Sequence, residues 1–246
     1  MCTVVFYPAN DKFYFASIRD ESPLREKALA PAFYANNALN YISPIDPSGG
    51  GTWVGINELQ SIVILLNGGK KMHVPFAKSK ISRGIIVKDL LTNEMPLLKW
   101  TLLELKDIEP FTLIVWTDNN LFHLVWDGEK KYRSQVSKTE PHIWSSSTLY
   151  TKEEKAKREK LFYEWNSNIQ EFSEDGLINF FKSYNDPEQG FIMERINSVK
   201  SLSITFIESS AIKTEIHYYD LSDMQVYKST MITMSRNKDL DCPVKF

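Results

Sequence analysis

The strongest constraint on this chain lies at its start. Residues 2–8 (CTVVFYP) and 13–18 (FYFASI) are rich in β-branched and aromatic side chains, and Ala-Asn-Asp-Lys separates them. Two such runs around a short polar break read as a β-hairpin, which commits the N-terminal end to antiparallel pairing. If the turn centres on Asn10 and Asp11, positions whose numbers sum to 21 face each other. Val4 then lies opposite Ser17, and Cys2 opposite Arg19. A slip of one residue would send every side chain to the other face.

The pattern recurs downstream. Residues 52–56 (TWVGI) and 61–67 (SIVILLN) read as strands joined by Asn57-Glu58-Leu59-Gln60, with Gly68-Gly69 ending the second. Strands are expected near 98–105 and 111–117, the latter turning through Asp118-Asn119-Asn120 into 121–126, with Asp127-Gly128 as a further turn. Two more are expected near 201–208 and 212–220. Ser82 is a candidate N-cap for a helix over about 83–94, with Ile85, Ile86, Leu90 and Leu91 on one face and Pro96 closing it. Residues 141–150 (PHIWSSSTLY) lead into a charged helix at about 152–170, whose Lys/Glu run reads as a solvated face with i,i+4 pairs. A shorter helix is expected at about 174–184. Residues 22–50, with Pro23, Pro31, Pro44 and Pro47, read as a long loop or surface segment. Strands joined by short turns suggest antiparallel sheets, which helices must cover, so the expected class is α+β. With no repeat, low-complexity tract or clear linker, one domain is expected over 1–246.

Composition narrows the function classes. Hydrophobic residues make up 43% of 246, ample material for a core. With 29 basic and 31 acidic residues the chain lacks the basic excess that nonspecific nucleic-acid binding needs. Cys2 and Cys242 are the only cysteines, a poor disulfide framework that points to a reducing, cytoplasmic setting. No apolar run reaches about 18 residues, so no membrane span is expected. The start MCTVVFYPANDKFYF lacks the basic and apolar regions of a signal peptide.

The chain has no P-loop, no GxGxxG after a strand, no HExxH and no Cys-x-x-Cys, and its four histidines (His73, His123, His142, His217) are scattered. Neither a metal nor another cofactor is expected. Cys2 stands out by position. Removal of Met1 would put a thiol and a free α-amine on one residue. An α-amine titrates near ~7.7–8.0 and a thiol near ~8.5, so the amine can take the thiol proton close to neutral pH. Base and nucleophile then come together. A guanidinium such as Arg19 would lower the thiol pKa, and Asp20 could hold the amine or a substrate amide. Asn67, at a strand end, could donate to the oxyanion. The bland alternative makes Cys2 a small apolar residue beginning a strand. Trp53 and Gly55 either line a pocket or are a strand aromatic beside a glycine that permits close approach. Ser82-Arg83-Gly84 is a simple cap or an anion site at a helix N-terminus.

The blocks Met1-Cys2-Thr3, Arg19-Asp20-Glu21, Gly50-Gly51-Thr52-Trp53-Val54-Gly55, Asn67 and Ser82-Arg83-Gly84, in that order, resemble the NRDE family, also called the transport-and-Golgi-organisation family. The family is similar to the penicillin V acylase and bile salt hydrolase group, whose oxyanion-hole stretch resembles residues 57–67 (NELQSIVILLN). The resemblance implies an Ntn-hydrolase-like four-layer αββα sandwich with antiparallel sheets. It implies Cys2 as nucleophile, Arg19 and Asp20 as its partners and Asn67 as oxyanion donor, with Trp53, Ser146 and Lys200 toward the substrate. Ile18 replaces the motif's first asparagine, Ser145-Ser146-Ser147 stands where related hydrolases carry a second asparagine, and Lys200 stands where arginine is expected. Lysine keeps the charge but not the planar fork. The leading expectation is an amidohydrolase cleaving a non-peptide C–N bond of a small molecule. The alternative is a silent family member that holds a small acyl-bearing ligand. A trafficking role is suggested by the family name alone.

Overall fold

The computed structural model describes residues 3–73, 81–184, 186–187, 190–195 and 199–234. Strands β1 (Thr3–Ala9) and β2 (Lys12–Glu21) form the opening hairpin. Val4 pairs Ser17, Phe6 pairs Phe15 and Ala9 pairs Lys12, which is the register read from the sequence. Asn10 takes the left-handed conformation (φ 51°) that the two-residue turn requires and asparagine tolerates. Successive side chains alternate between faces. Here Val4, Phe6 and Phe15 join one apolar cluster, while Val5, Ala16 and Ile18 join another.

The hairpin therefore sits between two layers. Its sheet has the order β10 (His142–Ser145), β1, β2, β12 (Val199–Ser209), β13 (Lys213–Asp220), β14 (Val226–Ile232), with β11 (Glu194–Arg195) paired to β12. The second sheet is a meander in chain order: β3 (Leu29–Tyr34), β4 (Tyr41–Ile45), β5 (Val54–Asn57), β6 (Ile62–Asn67), β7 (Phe111–Thr117), β8 (Asn120–Trp126) and β9 (Lys131–Val136). Every strand pairing is antiparallel.

The larger cluster joins Val4, Phe6, Phe15 and Ile216 of the first sheet to Ile64, Leu113 and Val115 of the second. It continues into Ile86, Val87, Leu90 and Leu91 of α1 (Arg83–Leu91) and Trp100 of α2 (Pro96–Leu102). Phe6 and Trp116 stack between the sheets, ring centroids 6.0 Å apart. On the far side of the first sheet, Val5, Ile18 and Phe206 pack under Phe162 of α3 (Lys152–Asn168) and Leu177, Phe180 and Phe181 of α4 (Glu174–Ser183). The layers thus run α1/α2, second sheet, first sheet, α3/α4, which is the αββα sandwich expected.

Three local expectations are corrected. Residues 22–50 are not one loop: they contain β3 and β4. Pro31 falls in the register shift between Leu29 and Ala32, and Pro44 lies past Ile42, the last residue that β4 pairs with β5, so neither proline interrupts a regular ladder. Residues 98–105 are not a strand. Pro96 opens α2 at a position where its missing N–H costs nothing, and Trp100 is buried edge-on against Phe111. Strands β9 and β14 were not expected. Their side chains are mostly exposed, polar in β9 and mixed in β14, which blurs the alternation that marks a half-buried strand. Among the described residues no helix is long and apolar enough to cross a membrane.

Candidate active site

The alternation of β2 sends two adjacent charged residues to opposite faces. Arg19 is 3% exposed and turns toward the second sheet, where its guanidinium carbon lies 4.4 Å from the Trp53 ring centre and Nη2 lies 3.7 Å from Asp46 Oδ1. Burial pushes its pKa down and the carboxylates of Glu21 and Asp46 push it back up, so the guanidinium stays a cation. Asp20, also buried, accepts hydrogen bonds from Ser201 Oγ and from Tyr150 Oη at 3.3 Å.

Arg19, Trp53 and Asn67 line one cavity of about 100 Å³. Arg25, Asp46 and Arg83 line it as well. Arg25 grips Asp46 with two nitrogens, Nε at 3.0 Å and Nη2 at 2.5 Å. Arg83 pairs with Glu109 at 3.1 Å and donates to the Pro110 carbonyl at 3.3 Å. Arg83 reaches the cavity because α1 begins there: Ser82 Oγ accepts the Gly84 N–H at 3.3 Å, a conventional cap. The start of α1 lies directly on the segment before β5. Thr52 N–H donates to the Gly84 carbonyl at 3.2 Å, and a Cβ on Gly51 would sit 2.4 Å from the Gly84 carbonyl carbon. Gly51 of the GGTWVG block and Gly84 of the SRG block therefore allow two backbones to touch.

Asn67 ends β6 half-buried, and its side-chain amide makes no hydrogen bond among the described residues. Its backbone carbonyl accepts Ser146 Oγ at 2.7 Å, while Ser147 Oγ donates to the Gly69 carbonyl at 2.6 Å. These two serines stitch the end of β10 in one sheet to the end of β6 in the other. Ser146 is fully buried. The Trp53 indole N–H is buried with no hydrogen-bond partner among the described residues.

The structure thus brings Arg19, Trp53 and Asn67 together, with Ser146 behind Asn67. Asp20 and Lys200 are not among the residues lining this cavity. Lys200 pairs Glu21 across β12 and β2, and its Nζ contacts Glu194 at 2.9 Å. Cys2 and Cys242 lie outside the described residues. Thr3, the neighbour of Cys2 in sequence, pairs Ile18 on one side and Ser145 on the other, and its Oγ1 accepts Arg158 Nη2 at 2.6 Å. Sequence reasoning missed Arg25 and Asp46, which lay in the segment read as a loop. The available signal was Asp46 ahead of three glycines: Gly50 N–H closes back on the Asp46 carbonyl at 2.8 Å, the mark of a tight turn rather than a loop.

A four-layer sandwich of two antiparallel sheets, with β1 held inside one sheet between β10 and β2, defines this as a protein of the N-terminal nucleophile hydrolase fold. The chain belongs to the Transport and Golgi organisation 2 family, whose model matches residues 1–241. Among solved structures it is similar to an N-acylethanolamine-hydrolyzing acid amidase ortholog from Caenorhabditis elegans, at 10% identity and a TM-score of 0.60, covering 84% of this chain and 92% of that one. A mutant of conjugated bile acid hydrolase from Clostridium perfringens aligns at 11% identity and a TM-score of 0.45, over 96% of this chain and 99% of the other. At 10% identity the likeness to the amidase ortholog is one of fold. No curated protein matches in sequence.

Proposed function

We propose that this chain is a cysteine amidohydrolase that cleaves a non-peptide amide of a small molecule, with Cys2 as nucleophile after loss of Met1. The observation that carries the reading is the convergence of Arg19, Trp53 and Asn67 on one cavity. The strand that carries Arg19 is paired, through Ile18 and Thr3, with the strand that Cys2 precedes.

In this proposal the α-amine takes the Cys2 proton and the thiolate attacks the amide carbon. The Asn67 amide, uncommitted among the described residues, donates to the oxyanion. The carbonyl re-forms, the C–N bond breaks, and the amine departs with the proton held by the α-ammonium. Water then hydrolyses the thioester and releases the acid. A cavity of about 100 Å³ holds about three waters at ~30 Å³ each, so only the scissile group and its immediate neighbours enter it.

Intact mass before and after brief alkylation at neutral pH, with a Cys2→Ala control, tests the proposal. Loss of Met1 with fast Cys2-dependent alkylation supports it, and screening of amide libraries follows. Retained Met1, or a Cys2 no faster than an ordinary thiol, overturns it. That second outcome would favour a silent ligand-binding protein, a reading supported by Lys200, whose Nζ contacts Glu194 and which does not line the cavity.

A further inference from the structure

A second cavity, of about 230 Å³, opens between the ends of β6 and β10 and the first turns of α3, and it shares no lining residue with the cavity at Arg19. We propose that it is a binding site for a small carboxylate with an apolar or aromatic body. The inference stands apart from any role of Cys2.

The charged end of the site is Lys155. This side chain is half-buried on α3, and its ammonium makes one hydrogen bond among the described residues, to Ser147 Oγ at 2.8 Å. An ammonium carries three donors, so two N–H groups have no acceptor among the described residues. Ser147 Oγ already donates to the Gly69 carbonyl, so its proton is committed and Lys155 must be the donor of the pair. Burial pushes the Lys155 pKa down, the carboxylate of Glu159 one turn along pushes it up, and the first effect is the larger. A half-buried cation with unfilled donors gains most from a ligand that brings a negative oxygen.

The walls set the rest of the ligand. Trp144 and His123 lie nearly parallel, 17° apart with ring centres 6.4 Å distant, and Leu66 and Val125 complete an apolar side. Burial lowers the His123 pKa, which keeps the imidazole neutral near pH 7. Lys70 also lines the cavity, with its Nζ over the Tyr132 ring. Among the ionised groups, the Asp127 carboxylate offsets Lys70 from outside the lining, so Lys155, facing only Glu159 along its own helix, is the cation that an anionic ligand would meet. The volume equals that of seven or eight waters at about 30 Å³ each, enough for one ring with a short acidic arm.

Isothermal titration calorimetry on the full chain carrying Cys2→Ala tests this, with phenylacetate and its neutral counterpart phenylacetamide as probes. Phenylacetate is expected to bind about tenfold or more tightly than the amide, the size of one charge-assisted hydrogen bond. Lys155→Met should abolish that difference. Trp144→Ala should weaken both probes. Glu159→Gln should tighten phenylacetate binding several-fold, and because Glu159 is exposed this variant tests the site without risk to folding. Equal binding of acid and amide, no binding of phenylacetate at millimolar concentration, or a Glu159→Gln variant that binds no better overturns the inference. Each of these outcomes is independent of whether Cys2 is an activated thiol.

Discussion

At the scale of single residues, the candidate site separates groups held for packing from groups left open for chemistry. Asn67 is of the second kind: its backbone is fixed by Ser146 and by pairing with Phe111, while its amide is uncommitted. Asn67→Ala is therefore expected to leave the melting temperature nearly unchanged and to lower single-turnover cleavage of a substrate amide by about 10²–10³-fold, the loss of one oxyanion donor. Arg158 is of the first kind. It is 2% exposed, lies 4.3 Å from the Tyr150 ring centre and 4.2 Å from that of Phe191, and donates to Thr3 Oγ1 and to the Gly190 carbonyl at 2.7 Å. Arg158→Ala leaves both acceptors short of a donor in a buried place, so equilibrium urea unfolding should show a loss of about 2–4 kcal/mol. Arg19 was legible through the hairpin register that set it opposite Cys2 and Asn67 through its place at a strand end before two glycines, while Trp53 was open between a pocket role and strand packing. Arg158 was not, because nothing in a charged helical run marks the one cation that the fold buries.

Elements were legible wherever a periodic apolar pattern met clear stop signals. The β1–β2 hairpin, β5–β6 and β7–β8 have this form, and so does α3, which opens on a full capping box between Thr151 and Glu154. Thr151→Ala should cost about 1 kcal/mol in thermal or urea unfolding, because it leaves a first-turn N–H without its acceptor. The segment Pro96–Leu102 was misread as a strand because a short apolar run carries no decisive period. Only its packing, with Trp100 against Phe111, resolves it. The contact between α1 and the segment before β5 is likewise tertiary. A methyl on Gly84 would lie 2.8 Å from the Thr52 carbonyl oxygen, which is backbone and cannot swing aside. Gly84→Ala should therefore destabilise by about 1–3 kcal/mol and shift Arg83 at the cavity edge. Ser82→Gly, which removes the cap but adds no bulk, should cost only a few tenths of a kcal/mol.

At the scale of the whole molecule, four layers are held by side chains that pass between them. Glu174, the first residue of α4, accepts hydrogen bonds from His217 Nδ1 at 2.8 Å and Tyr219 Oη at 2.7 Å, both on β13. Burial works to raise the Glu174 pKa, but the bonds from His217 and Tyr219 outweigh it and hold the carboxyl below its ordinary range. A depressed folded pKa contributes stability that is present above the unfolded value, near ~4.3, and is lost as the pH falls through the folded one. The acid limb of the stability–pH curve below about pH 4.3 should be shallower in Glu174→Gln than in the parent chain. Taken alone, the sequence determined the hairpin register and the antiparallel class, because these follow from period-two patterning and turn chemistry within a few residues. The tertiary structure decided what depends on distant partners. It brought Arg25, Asp46 and Arg83 to Arg19, turned Asp20 toward Ser201, and set Lys155 beside Trp144 and His123. Strand alternation separates neighbours such as Arg19 and Asp20, while sheet packing joins residues far apart in the chain, and no local pattern records that pairing.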